Sequence, residues 1–443
     1  MSEEKSVPNP REVITTKALW VWVAAMAVYT MAITGRTSFG VASLDAIERF
    51  DSTAGAIAVF TSIQVGTYAL AQIPTGVAID KFGPRAMLVA GALVMGIGQV
   101  VLGFTSNYWV AVAARVLIGA GDATAFLSVM RILPYWFPLH RTPMFTQVTS
   151  ALGQLGQFIS AIPFLWYLGV TGWTTAFVTL GAVGILVALA ASVAVADSPE
   201  KLGILPAAAP SDAPVPSLRA RLAAVVTSAT AWNCFFIHFS GMLAAPVFVM
   251  MWGMPMMTQA MGLSDAAAGI VLTLNTVFMV LSGPIHGRIS ARLSGVRDWV
   301  ALAFAATHIV CWALFFATGS PRGFWVVVVM MFVMALLQPV SNYGFDKIRE
   351  RLPHDVVATA TGLANMGGFV AGMLGAQIMG MVLSSRGMEW ADFRHGALAV
   401  LGVWLFGLAG IVVTHFVEKR FQPHAPRRVK IIAIEDDAAE DAV

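Results

Sequence analysis

Two charged residues, Arg36 and Asp122, interrupt long apolar stretches and are the strongest candidates for chemistry. A guanidinium can hold a carboxylate or a phosphate through two parallel hydrogen bonds. Tyr29 lies seven residues before Arg36, which places both on the same face of a helix. A carboxyl group in apolar surroundings can load and release a proton as its environment changes. The pattern predicts an anion site at Arg36 and Tyr29, and proton coupling at Asp122.

A second polar series comprises Arg115, Gly119 and Asp122, at positions i, i+4 and i+7. This spacing places the three on one helix face, with Asp122 about 10 Å along the axis from Arg115. We assign Arg115 and Gly119 structural or gating roles, because an arginine of this kind commonly bonds to neighbouring helices.

Uncharged polar residues recur on other apolar segments and could line the same site. A lone Asn or Gln in such a segment often only joins two helices, for about 0.6 kcal/mol on average. For His238 the alternatives are titration near neutral pH and simple packing. The candidate substrate contacts among them are Gln64, Tyr68, Gln154, His238 and Asn342, and the remaining polar residues of this kind are Gln157, Asn233, Asn275, Gln338 and Asn365.

The elements that must position these residues are long apolar helices. Of 443 residues, 58% are hydrophobic and 12% charged, and the mean hydropathy is +0.76, which is outside the range of soluble domains. About 20 apolar residues cross a hydrocarbon core of about 30 Å. The sequence predicts an all-α membrane protein with twelve spans, near 18–43, 53–77, 86–104, 109–134, 143–166, 174–196, 232–258, 266–287, 298–318, 324–345, 358–384 and 395–418.

The membrane setting restricts what the charged residues can do. A charge inside a span is costly in lipid, so Arg115 and Asp122 should face the protein interior or a water-filled cavity. Arg36 lies closer to a predicted helix end. The alternative to an anion site there is that its side chain extends along the helix to the membrane surface.

A Pro- and Ala-rich polar segment, 197–221, separates six spans from six. We therefore predict two pseudo-symmetric halves, and weak repeats support a duplication: GVAIDK at 76–81 corresponds to GPIHGR at 283–288. The predicted units are a tail (1–17), a first half (18–196), a linker (197–231), a second half (232–418) and a second tail (419–443).

Basic residues are distributed unevenly between the loops. Of 27 Lys and Arg residues, twenty fall on one side of the twelve-span topology and three lie within spans. The positive-inside rule makes the richer side cytoplasmic. It predicts a multi-pass protein of the inner (cytoplasmic) membrane with both termini in the cytoplasm. The poorer side carries four basic residues: Arg49, Arg322, Arg386 and Arg394.

The segment GVAIDKFGPRAML, 76–88, resembles the signature loop of the major facilitator superfamily. The resemblance implies a twelve-helix transporter that works by alternating access, in which this loop acts as a conformational latch between the halves. The alternative is a solvated turn that follows the positive-inside rule. In the second half Gly287 replaces the acid, so a weaker latch is expected there. The acid and the bases of this loop can form a breakable charge cluster at the cytoplasmic face. The matching positions are Gly76, Asp80, Lys81, Gly83 and Arg85.

Three further segments resemble the anion:cation symporter branch of that superfamily: GRTSFGVA near Arg36, GAGDA around Asp122, and WFPLHRTP before a Gly-rich span. The resemblance implies that Arg36 binds an anionic substrate and that Asp122, which replaces the branch's Glu, couples transport to protons. Gly35 stands where many members have an acid, so the resemblance does not extend to the stoichiometry and direction of coupling. The expected function is proton-coupled symport of a small organic anion, with import the favoured direction.

Other functions remain as alternatives. An apolar, Met-rich seventh span, MLAAPVFVMMWGMPMM, suits a proton-coupled exporter of drugs or lipophilic metabolites. A transporter-like membrane sensor would bind ligand without moving it. The fifth span lacks the Gly-Pro-x-x-Gly-Gly element typical of drug:proton antiporters, and the second and eighth spans lack the Arg of nitrate transporters.

An enzyme is disfavoured, because the short outer loops contain no nucleophile and base pair, metal-ligand cluster or phosphate-binding loop. We expect no cofactor, no metal and no nucleic-acid partner. The expected partners are the lipid bilayer and a small anionic molecule, and the protein is expected to be a monomer.

Overall fold

Long helices account for most of the chain. The computed structural model describes residues 9–206 and 217–421, so the predicted second tail beyond Phe421 and part of the linker lie outside the described residues. Eleven described helices are long and apolar enough to cross a membrane. The remaining predicted span, 53–77, coincides with a helix of 29 residues. In chain order the helices are α1 (Thr16–Val41), α2 (Ala54–Phe82), α3 (Pro84–Phe104), α4 (Tyr108–Trp136), α5 (Thr142–Thr171), α6 (Trp173–Ala194), α7 (Ala229–Ala260), α8 (Asp265–Arg292), α9 (Ser294–Phe316), α10 (Phe324–Arg351), α11 (His354–Arg386) and α12 (Trp390–Phe421). The predicted all-α membrane fold is confirmed.

Local sequence explains where many of these helices begin. A Ser, Thr or Asn side chain accepts a hydrogen bond from a backbone N–H of the first turn, which would otherwise lack a partner. Gly83, at φ +90°, makes the tight turn between α2 and α3, and Pro84 then starts α3. The capping residues are Thr15 of α1, Thr53 of α2, Asn107 of α4, Ser228 of α7 and Ser264 of α8.

The segment joining α6 to α7 marks one end of the molecule, which we call the linker end. Arg11, just before α1, forms a 2.7 Å ion pair with Glu200, just after α6. Thr230, in the first turn of α7, donates to Glu418 near the end of α12 at 2.8 Å. The first turn of α1 and the last turn of α12 therefore lie at the linker end.

A buried ion cluster joins four helices of the second half at this end. The Lys347 ammonium of α10 lies 2.7 Å from Asp298 of α9 and 2.7 Å from Glu418 of α12. It also donates to the Asn233 side chain of α7 at 2.7 Å. Lys347 is only 2% exposed, so these bonds supply the partners that a buried charge requires. Asn233, which the sequence left as an unassigned polar residue, is thus part of the framework.

The two halves meet along two seams, α2 against α11 and α5 against α8. At the first seam, a Cβ on Gly76 would lie 2.5 Å from the Ala358 carbonyl oxygen. At the second, a Cβ on Gly287 would lie 2.5 Å from Met144 Cα. Both glycines lie in the last turns of their helices, so the backbones approach most closely near the linker end.

Three helices are irregular near the middle of the molecule. α5 has a π-helical turn at Ser160–Phe164, α7 has another at Ala245–Trp252, and α10 tightens to a 3₁₀ segment at Gln338–Asn342. Each segment contains a proline, which removes one helical hydrogen bond. Irregular backbone at membrane depth is tolerated where it is buried in protein or lines a cavity.

Candidate substrate site

A cavity of about 460 Å³ lies between the two halves. Its lining comes from α1, α2, α4 and α5 of the first half and from α7, α8, α10 and α11 of the second. The irregular parts of α7 and α10 both contribute, through Met250 and Met251 and through Gln338 and Asn342. The cavity occupies the position expected for a substrate site between transporter repeats.

Arg36 and Asp122 form a two-pronged ion pair beside this cavity. Arg36 Nε donates to Asp122 Oδ2 at 2.6 Å, and Arg36 Nη2 donates to Asp122 Oδ1 at 2.9 Å. The carboxylate is completely buried, whereas the arginine side chain is 20% exposed and lines the cavity. The Arg36 side chain thus turns inward to Asp122. The sequence singled out both residues without predicting that each is the other's partner.

Aromatic rings hold the other side of the Arg36 guanidinium. Its central carbon lies 4.5 Å from the Tyr68 ring centre and 5.6 Å from that of Phe369, so cation–π attraction adds to the ion pair. Tyr68 belongs to the first half and Phe369 to the second. The guanidinium is therefore contacted by both halves of the protein.

The predicted substrate contacts other than Gln64 line the cavity, and most already have protein partners. The Tyr68 hydroxyl accepts a hydrogen bond from Asn365 at 3.0 Å. Gln154 Oε1 accepts one from Gln157 at 2.6 Å. Tyr29, the remaining aromatic candidate, lines the same space with its ring 5.5 Å from that of Phe126. These contacts fix the orientation of the polar groups in the absence of a ligand.

His238 and Asn342 reach the cavity from the second half. His238 Nδ1 lies 2.9 Å from the Ser341 carbonyl, so this nitrogen must carry the proton and Nε2 is the acceptor of the neutral ring. Asn342 donates to Gln147 Oε1 at 2.9 Å and to Ser150 Oγ at 3.1 Å, both on α5. Asn342 therefore also joins the two halves.

Gln64 lies elsewhere. It is 1% exposed, it does not line the cavity, and neither polar atom of its side chain has a hydrogen-bond partner. A Cβ on Gly119 would lie 2.5 Å from the Gln64 carbonyl oxygen, so α2 and α4 touch at this point. Gln64 was expected to contact the substrate, but its side chain lies inside the first half, away from the cavity. The close approach of α2 and α4 leaves no room for a ligand there.

Arg115 also lies inside the first half, away from the cavity lining. Its guanidinium is fully buried over the Phe39 ring, 4.5 Å from the ring centre, and its three nitrogens have no hydrogen-bond partner. It interacts electrostatically with Asp122. The observed contact of Arg115 with a neighbouring helix is thus the Phe39 ring of α1, whereas Asp122 lies on the same helix as Arg115.

Sequence reasoning missed Gln147, which joins the halves at the cavity wall. Its Nε2 donates to the Pro339 carbonyl at 2.9 Å, so it binds the irregular segment of α10. A signal was present in the spacing, because Gln147, Ser150, Gln154 and Gln157 follow one another at intervals of three and four residues on a single helix face.

The latch residue Asp80 reaches across the first seam to the start of α11. Its carboxylate accepts hydrogen bonds from the backbone N–H groups of Ala358 at 3.1 Å and Thr359 at 2.8 Å, and from the Thr359 hydroxyl at 2.7 Å. Arg131, which the sequence left without a role, lies 3.6 Å from Asp80 and donates to the His354 carbonyl at 2.8 Å. Asp80 and Arg131 together bind the first turn of α11, where a carboxylate is favoured by the helix dipole.

The other latch residues lie within the first half. Arg85 is exposed; its backbone N–H donates to Asp197 at 2.7 Å and its side chain donates to the Ser192 carbonyl at the end of α6. The exposed Lys81 ammonium lies 4.9 Å from the Phe82 ring centre. The predicted cluster of acid and bases thus divides into Asp80, which contacts the second half, and Arg85, which fixes the loop to α6.

Comparison with known proteins agrees with this architecture. The family model of the Major Facilitator Superfamily matches residues 25–376 and 234–434. The chain belongs to the Major Facilitator Superfamily. It is therefore a multi-pass membrane transporter, and the expectation that it is not an enzyme is confirmed by the family and by relatives named as transporters.

Relatives of this superfamily member carry names that refer to organic anions. It is 25% identical to the "Probable sulfoacetate transporter SauU" of Cupriavidus necator, over 85% of this chain and 89% of that protein. It is 23% identical to the "D-galactonate transporter" of Escherichia coli, over 89% of this chain and 94% of that protein. It is 22% identical to the "Probable galactarate/D-glucarate transporter GudP" of Escherichia coli, over 76% of this chain and 79% of that protein. The resemblance to the anion-transporting branch is thereby confirmed.

Proposed function

We propose that this transporter moves a small organic anion together with a proton, by alternating access. The observation that supports the proposal is the Arg36–Asp122 pair beside the central cavity. The guanidinium already holds a carboxylate in the two-pronged geometry that suits carboxylate recognition. A substrate carboxylate would compete with Asp122 for the same donors.

This competition supplies a mechanism for coupling. Protonation of Asp122 removes its negative charge and releases the Nε and Nη2 donors of Arg36 to the substrate. One proton then enters for each anionic group bound, so the net charge of the site is unchanged. A loaded site of unchanged charge avoids the cost of carrying an extra buried ion through the conformational change. Deprotonation of Asp122 on the other side restores the internal pair and expels the anion.

The latch indicates which state this arrangement represents. The halves are bound together near the linker end through Asp80 and through the close approach of Gly287 to Met144. The cavity extends away from that end, to Thr61 near the start of α2 and Gln377 in the later part of α11. We propose that the linker end is cytoplasmic, as the excess of basic residues there favours. The cavity then faces outward, which is the state in which an importer takes up its substrate, and we propose import by a monomer of the inner membrane.

A second candidate function has one observation in its favour. Met250, Met251 and Met373 expose sulfur and methyl groups to the cavity, and methionine adapts to varied apolar ligands. This wall suits a proton-coupled exporter of lipophilic compounds. Such an exporter leaves the pairing of Arg36 with Asp122 without a role in substrate binding.

Transport assays in proteoliposomes test the proposal against both alternatives. With an acidic exterior, we expect at least one member of a panel of small organic anions, from hexanoate to D-galactonate, to accumulate inside against its gradient, and dissipation of the pH gradient to stop this. Proton-driven efflux of lipophilic cations without anion uptake would favour the exporter. Binding of anions without any accumulation would favour the membrane sensor.

Replacement of Asp80 tests the role of the latch. Asp80→Asn removes the charge and at least one acceptor at the start of α11, where a charge-assisted hydrogen bond contributes about 1.5–3 kcal/mol. Because each cycle must return to the latched state, we expect transport to slow about tenfold for each 1.4 kcal/mol lost. The affinity of the open cavity for the anion should be largely intact.

The readout for this replacement combines transport rate with the separation of the halves. Spin labels on Ala86→Cys and Arg292→Cys, at the linker ends of α3 and α8, should report a larger fraction of separated halves in Asp80→Asn. Lys81→Gln is the matched control, because Lys81 contacts only the adjacent Phe82 ring. A large loss of anion affinity with an unchanged distance distribution would contradict the latch assignment.

A further inference from the structure

The methionines of the cavity lining all come from the second half: Met242, Met250, Met251, Met279 and Met373. On the first half, Arg36, Thr37, Gln154 and Gln157 present hydrogen-bonding groups. The second half also contributes polar side chains, of which His238, Asn342 and Asn365 already have protein partners. The exposed fractions of Met250, Met251 and Met373 are 62%, 50% and 40%. These side chains are only partly packed against their neighbours, and all three line the space in which a ligand would lie.

Fixed charge is confined to one point of this lining. Among the described residues that line the cavity, Arg36 is the one permanent cation, and there is no Asp or Glu. His238 is the other residue of this lining that could become positively charged, and its Nδ1–H already donates to the Ser341 carbonyl. A ligand therefore meets a single guanidinium at one place and uncharged groups everywhere else.

The geometry points to an amphipathic monoanion as the substrate class: one carboxylate or sulfonate at Arg36, and an apolar body of several carbons against the methionine wall. This inference rests on the proposed function, because it requires Arg36 to bind the anionic group. The cavity volume of about 460 Å³ is within the range of about 300–1,000 Å³ typical of sites for small organic ligands.

The same arrangement disfavours diacids and polyhydroxylated acids. A second carboxylate at the far end of the ligand would lie against methionine side chains without a cation, which leaves a desolvated charge unpaired. Hydroxyl groups there would lose hydrogen bonds to water without replacement. The substrate class thus differs from the sugar diacids in the name of the Escherichia coli relative.

Binding of a matched series of acids to the purified protein tests the inference. The probes are butanoate, hexanoate and octanoate, the diacids hexanedioate and octanedioate, and the polyhydroxylated D-gluconate. Each buried methylene contributes about 0.8 kcal/mol, so affinity should rise about threefold to fourfold per methylene along the monoacids. Each diacid should bind at least tenfold more weakly than the monoacid of equal length.

Methionine replacements distinguish binding of the acid's apolar chain at the cavity methionines from nonspecific hydrophobic partitioning of the longer acids. Met250→Gln combined with Met373→Gln should flatten the dependence on chain length, so that octanoate loses more affinity than hexanoate, and hexanoate more than butanoate. Met381→Gln is the matched control, since Met381 lies on the same helix as Met373, is 62% exposed and does not line the cavity. The control should keep the wild-type dependence.

The outcomes distinguish this inference from the function on which it rests. Diacids or D-gluconate that bind as tightly as hexanoate, or a chain-length dependence that survives the cavity methionine replacements, would overturn the amphipathic substrate. In that case Arg36→Lys would still weaken binding of the preferred anion. If no acid binds and Arg36→Lys changes nothing, the anion-transport proposal itself fails.

Discussion

Replacement of Arg36 by Lys is expected to weaken anion binding at equilibrium by about 30-fold or more, because truncating one partner of a buried charge pair costs about 2–5 kcal/mol. A lysine ammonium is a single point charge and cannot present two parallel donors as Arg36 Nε and Nη2 do to Asp122. It also loses the planar contact with the Tyr68 ring. Charge alone should therefore not restore the site. The measurement is ligand binding to purified protein together with uptake in proteoliposomes.

Arg49→Lys is the control for loss of a guanidinium. Arg49 Nε and Nη2 bind the carbonyls of Thr105 and Gly103 at 2.9 and 3.0 Å, and Arg49 does not line the cavity. This variant should keep wild-type affinity. Because Arg36→Ala leaves Asp122 without its partner, Arg36→Gln combined with Asp122→Asn provides a variant in which both charges of this pair are removed together. An Arg36→Ala protein with normal affinity and normal transport would exclude an anion site at this residue.

Replacement of Asp122 by Asn is expected to abolish accumulation driven by a pH gradient while counterflow of the anion continues. Asparagine has nearly the same shape but carries no charge, so Arg36 remains available to the substrate at every pH. In the wild-type protein, anion affinity should rise as pH falls, because protonation of Asp122 frees Arg36. For one linked proton, affinity should fall about tenfold per pH unit above the range in which Asp122 titrates. The variant should show no such slope.

Uptake with and without an imposed proton gradient, alongside counterflow, measures this separation of binding from coupling. Asp265→Asn is a suitable control, because Asp265 is an exposed acid in the first turn of α8. It should keep both activities. If Asp122→Asn concentrates the anion in response to the gradient as well as the wild type does, coupling lies elsewhere, and His238 is the next residue to replace.

The helices were predictable because their signal is local. Each span needs about 20 apolar residues, and the caps and breaks lie within a few residues of each end. The irregular segments were less accessible. Pro339 marks a break in α10, but only the fold shows that its carbonyl is bound by Gln147 from the other half.

The candidate site was predictable by residue type but not by pairing. Arg36 and Asp122 stand out because charge is rare inside spans, whereas their contact joins residues 86 positions apart. Gln64 and Tyr68 look equivalent in sequence, one helical turn apart, yet close contact with α4 at Gly119 buries the first and the cavity receives the second. Whether a polar residue faces the cavity or another helix depends on which helix packs against its side. The residues next to it in the sequence do not show which helix that is.

Asp80 illustrates the same limit at the latch. Its neighbours in sequence, Lys81 and Arg85, suggested a local charge cluster. The helical direction of α2 instead aims the Asp80 carboxylate at the backbone of α11, and the basic partner comes from Arg131 on α4. Side-chain direction along a helix therefore outweighed proximity in sequence.

The two seams between the halves should differ in how they come apart. At the linker end of the α2–α11 seam, one buried carboxylate, Asp80, accepts three hydrogen bonds from the start of α11. The edge at α5 is held by separate contacts: Gly287 packs on Met144, Gln147 donates to the Pro339 carbonyl, and Arg349 donates to the Thr146 hydroxyl. A single change at Asp80 can therefore loosen the first edge, whereas the second edge opens only when several contacts break. Separation of the halves would thus begin as a swing about the α5 edge.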